Sequence, residues 1–284
     1  MIEIRTINEL VALSQGSSRG TSSDYLDIQL MNDVDFADYS EPTYNWPGFT
    51  GQWYANFNGN GHKIDNIAYT GTSIWGFFEN IDGSVRNLKL TNMNVTSSAN
   101  VMGIAANCGA CIIQNCRITG FLTSLNNYAI VFAAHDRDGH FEVRECSFSG
   151  TARGSAYTCA CTGGKQNAWA INNIITGTFD AFGSNGEAYL MCMTNCNAVN
   201  CEFNGVVKAG RSANFHYNWN SSIYNCIFIP QAGSRTTNTG GGTVVNCYYD
   251  SDKATAAGIT CNATAATTAE LKSGEWGRAH GLPS

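Results

Sequence analysis

The chain has 284 residues with a formal net charge of −6, and only 13% of its residues are charged. Its 16 basic residues are scattered, which argues against nucleic acid as a partner because phosphates are bound by clustered Lys and Arg. No apolar stretch approaches the ~18 residues of a membrane span, so no membrane insertion is expected. Residues 1–6 lack the basic segment and apolar core of a signal peptide, which favours cytoplasmic assembly unless a leader has been removed.

Residues 1–40 are predicted to form an N-terminal cap. Thr6 precedes Glu9 by three residues, the capping-box spacing at the start of an amphipathic helix. Such a helix would cover the open end of a repeat array, which otherwise exposes an apolar cross-section and unpaired strand edges. The aromatic residues Trp46, Trp53 and Tyr54 follow, either to fasten this cap or to offer a surface to sugars.

A short phrase then recurs along the chain: an apolar residue, Asn, often Cys, and a β-type run that ends in Gly. The residues aligned at its turn are Asn66, Asn87, Asn115, Glu145, Asn173, Asn200, Asn225 and Asn246. Steps of 21 to 30 residues between them are typical of solenoids. The strand-like units predict an all-β fold, a single-stranded right-handed parallel β-helix of about eight coils over residues 41–250. Residues 251–284 would form a C-terminal cap or tail.

Five of the twelve cysteines directly follow the turn residue: Cys116, Cys146, Cys201, Cys226 and Cys247. A small, readily buried side chain suits a stacked interior row, so reduced thiols are predicted there. One or more disulfides are an alternative. The pairs Cys108/Cys111, Cys159/Cys161 and Cys192/Cys196 are poor zinc motifs, because their offsets drift and no His lies nearby. No metal and no cofactor are therefore predicted.

The segment 135–145 is the densest group of ionisable residues. Ala106 and Cys116 are 10 residues apart, whereas Ala134 and Cys146 are 12 apart, so this turn contains a two-residue insertion. Variable turns on a rigid scaffold often carry function. A binding protein would use His135 and Arg137. A polysaccharide-cleaving enzyme would use carboxylates as acid and base, and the candidates are Asp136, Asp138, Glu142 and Glu145. The simpler interpretation is a solvated loop in which these charged side chains, together with His140 and Arg144, neutralise one another.

A second candidate is the segment 215–220. In a strand, Tyr217 and Trp219 share one face and Asn218 lies on the other. Exposed, the rings would stack on sugars while the Asn218 amide bonds to hydroxyl groups. The alternative is that the aromatic residues pack inside the coil.

Several motifs resemble a known group of repeat proteins. They are Trp46-Pro47, Phe57-Asn58-Gly59-Asn60-Gly61-His62-Lys63-Ile64, Trp75–Asn80, Gly83–Leu88 and the closing segments Tyr248–Asp252 and Thr268–Gly274. The sequence resembles the β-helix proteins with GLUG-type repeats that occur on bacterial surfaces and in phage virions. Asn58 departs from the pattern, in which Asp is frequent. The resemblance implies the β-helix fold and leaves the activity open.

We therefore predict a non-catalytic virion or tail component that is assembled in the host cytoplasm. Its partners would be a bacterial surface polysaccharide or other virion proteins. One alternative is a bacterial surface or secreted adhesin whose leader was removed. Another is a polysaccharide depolymerase, a lyase or hydrolase acting through the segment 135–145. Analogy with phage β-helices adds a homotrimer as a candidate assembly.

Overall fold

The computed structural model describes residues 1–41, 44–135, 140–163, 168–189, 196–210, 212–214, 222–231, 234, 237–238, 243–257 and 263–280. The helices are α1 (Ile7–Gln15), a 3-10 turn (Phe36–Asp38), α2 (Ser251–Ala257), α3 (Thr268–Lys272) and α4 (Gly274–Ala279). The first strands are β1 (Ile2–Ile4), β2 (Leu26–Leu30), β3 (Val34–Asp35), β4 (Phe49–Asn58), β5 (Lys63–Asp65), β6 (Ala68–Gly71), β7 (Phe78–Arg86), β8 (Lys89–Ser97), β9 (Val101–Met102) and β10 (Ala105–Gln114).

The strands continue with β11 (Arg117–Ser124), β12 (Tyr128–His135), β13 (Phe141–Arg144), β14 (Ser147–Gly154), β15 (Tyr157–Gly163), β16 (Ala168–Ile171), β17 (Ile174–Ala181), β18 (Glu187–Tyr189), β19 (Cys196–Val199), β20 (Glu202–Ala209), β21 (Ser212–Asn214), β22 (Ser222–Tyr224), β23 (Ile227–Pro230), β24 (Thr237–Asn238), β25 (Thr243–Val245), β26 (Tyr248–Asp250) and β27 (Thr264–Ala266). Every pairing between them is parallel, in a 16-stranded sheet I and an 11-stranded sheet II. The chain is a right-handed parallel β-helix of about seven turns, which confirms the predicted fold and is close to the predicted eight coils.

Sheet I divides into two columns that meet at β10. Column A continues through β12, β15, β18, β21 and β24, and column B through β13, β16, β19, β22 and β25. The strands β4, β7 and β10 run unbroken across both columns, whereas the next turn stops at His135 and resumes at Phe141. Between the paired residues Ala105/Ala133 and Arg117/Ser147 the chain lengthens from 12 to 14 residues, which is the predicted two-residue insertion.

The interior changes from large to small side chains along the solenoid. The N-terminal turns enclose an aromatic cluster in which Phe49 stacks on Phe78 with ring centroids 4.7 Å apart. Later turns bury mainly Ala, Cys and single Phe residues. Helix α1 covers the wide end with Leu10 and Val11 buried, and its capping box joins Thr6 and Glu9 as predicted.

The turn before sheet II holds the predicted row of asparagines in the left-handed conformation. Asn115 donates from Nδ2 to Asn87 Oδ1 over 2.8 Å, and Asn225 donates likewise to Asn200 over 3.2 Å. The left-handed region tolerates Asn better than most residues. Side-chain amides thus link successive turns in a ladder.

Two residues of the predicted row belong elsewhere. The fifth turn residue is Asn172, with φ +55°, and its amide oxygen accepts from Asn200. Asn173 lies in the cysteine row instead, where its amide accepts from Cys146 N and donates to Val143 O. Asn66 occupies a separate turn and bonds to Asp35. Adjacent asparagines made the repeat register ambiguous by one residue.

The five row cysteines are buried free thiols, as predicted. Each Sγ donates to the carbonyl oxygen two residues earlier, for example Cys201 to Val199 over 3.3 Å. The thiol therefore satisfies a turn carbonyl as well as filling space. Burial raises the pKa of the Cys146 and Cys226 thiols, which favours their protonated, hydrogen-donating form.

Sheet II contains a row of stacked glycines. Gly150 is paired with Gly120 on one side and Gly177 on the other, and Gly120 and Gly177 have φ of +121° and +131°. A Cβ on Gly150 would overlap the Gly120 carbonyl oxygen. The Gly that ends the repeated phrase is therefore required by strand approach and backbone conformation.

Helices α2, α3 and α4 close the C-terminal end against sheet II. The Trp276 ring packs edge-on against Tyr248 at 4.9 Å and stacks on His280 at 4.1 Å. Among the helices of the described ranges, none combines the length and apolarity needed to cross a bilayer.

Candidate ligand-binding face

The two predicted site segments are only partly described. Asp136, Arg137 and Asp138 lie outside the described residues, as do Tyr217, Asn218 and Trp219, and His135 is described by its backbone alone. The strand ends that bracket them share one position in the fold. The first segment joins β12 to β13 and the second joins β21 to β22, so each connects column A to column B.

The described carboxylate Glu142 projects outward from β13, because Phe141 and Val143 on either side of it are buried. In neighbouring strands its partners are Ile112 and Trp169. Trp169 is outward-facing and half-buried, since Ala168 and Ala170 point into the core. This tryptophan was not among the predicted site residues, although its alternation with small apolar residues in Ala168–Ile171 was a usable signal.

We call the outward surface of column B and of the N-terminal strands aligned with it the column B face. Its first row is Asp27, Asn56, Ser84, Ile112, Glu142, Trp169 and Asn197, and its second is Gln29, Asn58, Arg86, Gln114, Arg144 and Ile171. The first row crosses seven strands, which at a spacing of ~4.8 Å span ~29 Å.

A polar network surrounds Glu142 on this face. Its Oε2 lies 3.6 Å from Arg144 Nη1 and 3.5 Å from His140 Nε2. Arg144 Nη2 donates to Gln114 Oε1 over 3.0 Å, and Gln114 Nε2 donates to Glu145 Oε2 over 2.9 Å. The buried Arg144 Nε has no hydrogen-bond partner among the described residues. The structure thus joins the predicted residues Glu142 and Glu145 through Arg144 and Gln114.

Glu145 has an unfavourable backbone conformation. Ten non-glycine residues of the described chain have positive φ, between +51° and +58°, and nine of them are Asn. Glu145 is the tenth, with φ +57°, where an ordinary L-residue costs about 1–2 kcal/mol. Strained residues of this kind cluster at functional sites, so the outlier marks this turn of the face.

The N-terminal end of the face contains a cavity of about 380 Å³ lined by Asp27, Asn56, Ser84, Asn58 and Arg86. Asn56 Nδ2 donates to Asp27 Oδ1 over 3.2 Å, and Ser84 Oγ donates to Asn56 Oδ1 over 3.1 Å. These side chains offer both donors and acceptors to a polar ligand. Among the described residues, no group of three or more His, Cys, Asp or Glu side chains is arranged to hold a metal ion.

No protein-family model and no curated protein matches the chain. A search of solved structures finds the crystal structure of a candidate immunoglobulin A1 protease from Bacteroides ovatus. Its TM-score is 0.60 at 15% sequence identity, over 95% of this chain and 85% of that chain. A likeness at this identity supports the β-helix fold alone.

Proposed function

We propose that this β-helix is a non-catalytic binding protein that holds an extended bacterial surface glycan along the column B face. The observation that carries the proposal is the outward-facing Trp169 beside Glu142, in a row that also contains the polar residues Asp27 and Asn56. An indole offers an apolar plane with one polar edge, which suits the apolar face of a sugar ring. Glu142, Gln114 and Arg144 would bind hydroxyl groups around that ring.

The ion pairs of Glu142 and the hydrogen bond of Glu145 favour binding over cleavage. Glu142 is shared between Arg144 and His140, and Glu145 accepts from Gln114. A catalytic carboxyl group must be placed to exchange a proton at the scissile bond, whereas both of these groups are engaged by neighbouring side chains of the protein. A depolymerase using Asp136, Asp138, Glu142 and Glu145 is the alternative.

We propose a phage virion or tail as the location, with assembly in the host cytoplasm and, by analogy, as a homotrimer. Support comes from the resemblance of the repeated motifs to GLUG-type β-helix proteins. A bacterial surface adhesin is the second candidate. Mass spectrometry of purified phage particles and of washed cell envelopes from the same culture distinguishes the two.

Retention on immobilised capsular or cell-wall polysaccharide tests the binding site. We expect Trp169→Ala to weaken retention about tenfold, the equivalent of about 1.4 kcal/mol. The matched control is Phe121→Ala, which removes an exposed ring from the outer side of sheet II. Equal retention by both variants would show that Trp169 does not bind the glycan. Trp219→Ala would then test the segment 215–220.

Incubation with the same polysaccharides tests catalysis through new reducing ends or unsaturated products. We expect neither product. Cleavage that disappears in a protein carrying Asp138→Asn and Glu142→Gln would overturn the binding proposal in favour of a depolymerase. Because the structural neighbour is named as a candidate protease, immunoglobulin A1 is included as a substrate, and we expect it to remain intact.

A further inference from the structure

A second cavity lies outside the column B face, where the C-terminal helices meet sheet II. It has a volume of about 370 Å³, and we call it the cap crevice. Strand β20 forms one wall with Glu202, and helices α2 and α3 form the other with Lys253 and Lys272. The isoleucines Ile227 and Ile229 of β23 line it between these walls.

Glu202 is an acidic residue among apolar neighbours. In sheet II it is paired with Ile174 on one side and Ile227 on the other. Burial raises the pKa of its carboxyl group above the ordinary 4.5, because charge is disfavoured where water is excluded. A cationic group bound beside Glu202 would relieve this desolvation.

The charges on the two walls are complementary but not paired with each other. Within the described part of the chain, neither Glu202 nor Lys253 nor Lys272 forms a salt bridge. The other acidic group in the crevice, Asp250, already accepts from Thr268 Oγ1 and from the Lys253 backbone N–H. The crevice therefore offers one carboxylate and two ammonium groups across an apolar floor.

We propose that the cap crevice binds a small zwitterion of amino-acid or dipeptide size with an aliphatic side chain. Its ammonium group would pair with Glu202, its carboxylate with Lys253 and Lys272, and its side chain would cover Ile227 and Ile229. A simple cation would leave the lysines unpaired, and a simple anion would leave Glu202 unpaired. The site is independent of the glycan proposal, since it shares no residue with the column B face.

Calorimetric titration of the full-length protein with three peptides tests this inference. The probe is L-leucyl-L-leucine, compared with its N-acetylated form, which lacks the ammonium group, and its C-terminal amide, which lacks the carboxylate. We expect saturable binding of the free dipeptide and about tenfold weaker binding of each blocked form, as for the loss of one charge-assisted hydrogen bond.

Substitutions in the cap crevice test which wall binds each charge of the peptide. Glu202→Gln should remove the discrimination against the N-acetylated peptide and keep that against the amide. The double change Lys253→Met and Lys272→Met should do the reverse. Glu275→Gln and Lys208→Met, at exposed positions outside the crevice, should behave like the unmodified protein. Absence of saturable binding, or equal binding of all three peptides by the unmodified protein, would overturn the proposal.

Discussion

Glu145 shows how one residue can depart from the rule that its neighbours obey. Its backbone takes the left-handed conformation that Asn115 and Asn172 adopt in adjacent turns. Its side chain accepts from Gln114 rather than continuing the amide ladder. The repeated phrase aligned Glu145 with the asparagines. Its backbone strain was not predictable, because strain depends on a dihedral angle that no residue pattern reports.

We expect Glu145→Asn to raise the free energy of unfolding by about 1 kcal/mol, since Asn tolerates this conformation better. Chemical denaturation measures the change. The matched control, Asn172→Glu, should lower stability by a similar amount. A destabilised Glu145→Asn protein would mean that the bond to Gln114 already compensates for the strain. Weaker glycan retention by a stabilised variant would show that the strain serves binding.

Asp65 is a buried carboxylate that accepts several hydrogen bonds. It accepts from Lys63 Nζ over 2.6 Å, from Thr91 Oγ1 over 2.7 Å and from Asn92 Nδ2 over 2.8 Å. Burial alone would raise its pKa, but these hydrogen bonds and the Lys63 charge outweigh burial, so the pKa lies below the usual 3.8. The ionised form is therefore the one that stabilises the fold.

A carboxyl group with a lowered pKa stabilises the folded state above its unfolded pKa, and this contribution is lost as the pH falls through the folded pKa. We expect Asp65→Asn to lower stability by about 1–3 kcal/mol at neutral pH. The variant should also lose less stability than the unmodified protein when the pH falls from neutrality to below 3.8, as measured by melting at each pH. Parallel acid profiles for both proteins would contradict this role.

Among structural elements, the repeated turn was the most predictable from sequence. The Asn and Cys residues of this turn indicated where each coil turns, because few other residues suit a left-handed backbone or a buried thiol row. Its register was wrong at Asn173, where an amide replaces a thiol and bonds to Cys146 N. The hydrogen bond from each thiol to a turn carbonyl was not predictable, since it requires a side-chain rotamer.

The amide ladder makes its own contribution to stability. Asn200 donates to Asn172 and accepts from Asn225, both over 3.2 Å. We expect Asn200→Ala to lower the free energy of unfolding by about 1–3 kcal/mol. Asn200→Gly keeps the backbone conformation accessible and so isolates the amide bonds. Asn94→Ala, at an exposed position of β8, is the control. A melting temperature unchanged by both Asn200 substitutions would show that the amide ladder does not contribute to stability.

The candidate face was less predictable than the turns. The charge-rich segment led to Glu142 and Glu145, and the structure joins them through Arg144 and Gln114. Trp169 was missed because it is 27 residues from Glu142 in sequence and becomes its neighbour only through strand register. The site roles of the residues in segments 136–138 and 217–219 stay predictions.

On the scale of the whole molecule, each turn contacts mainly the turns before and after it, so stability is a sum over neighbours. Opening should therefore begin at the ends. We expect Cys247, in the last regular turn, to react with a thiol reagent before Cys116 does under native conditions, as followed by mass spectrometry. In denaturant without reductant, most of the twelve cysteines should react. Equal native rates for Cys116 and Cys247 would instead indicate global, all-or-none opening.

The division of sheet I into two columns has a consequence for how such proteins diversify. Strand β13 pairs with β10 and β16 without a register shift, and Cys146 still lies beside Cys116 in the cysteine row. Residues can thus be added or exchanged in the connection between β12 and β13 while the stacking of the coils stays the same. Natural variants that differ in ligand preference are expected to differ mainly in these connections, and exchanging one connection between two such variants should transfer that preference without altering the melting temperature.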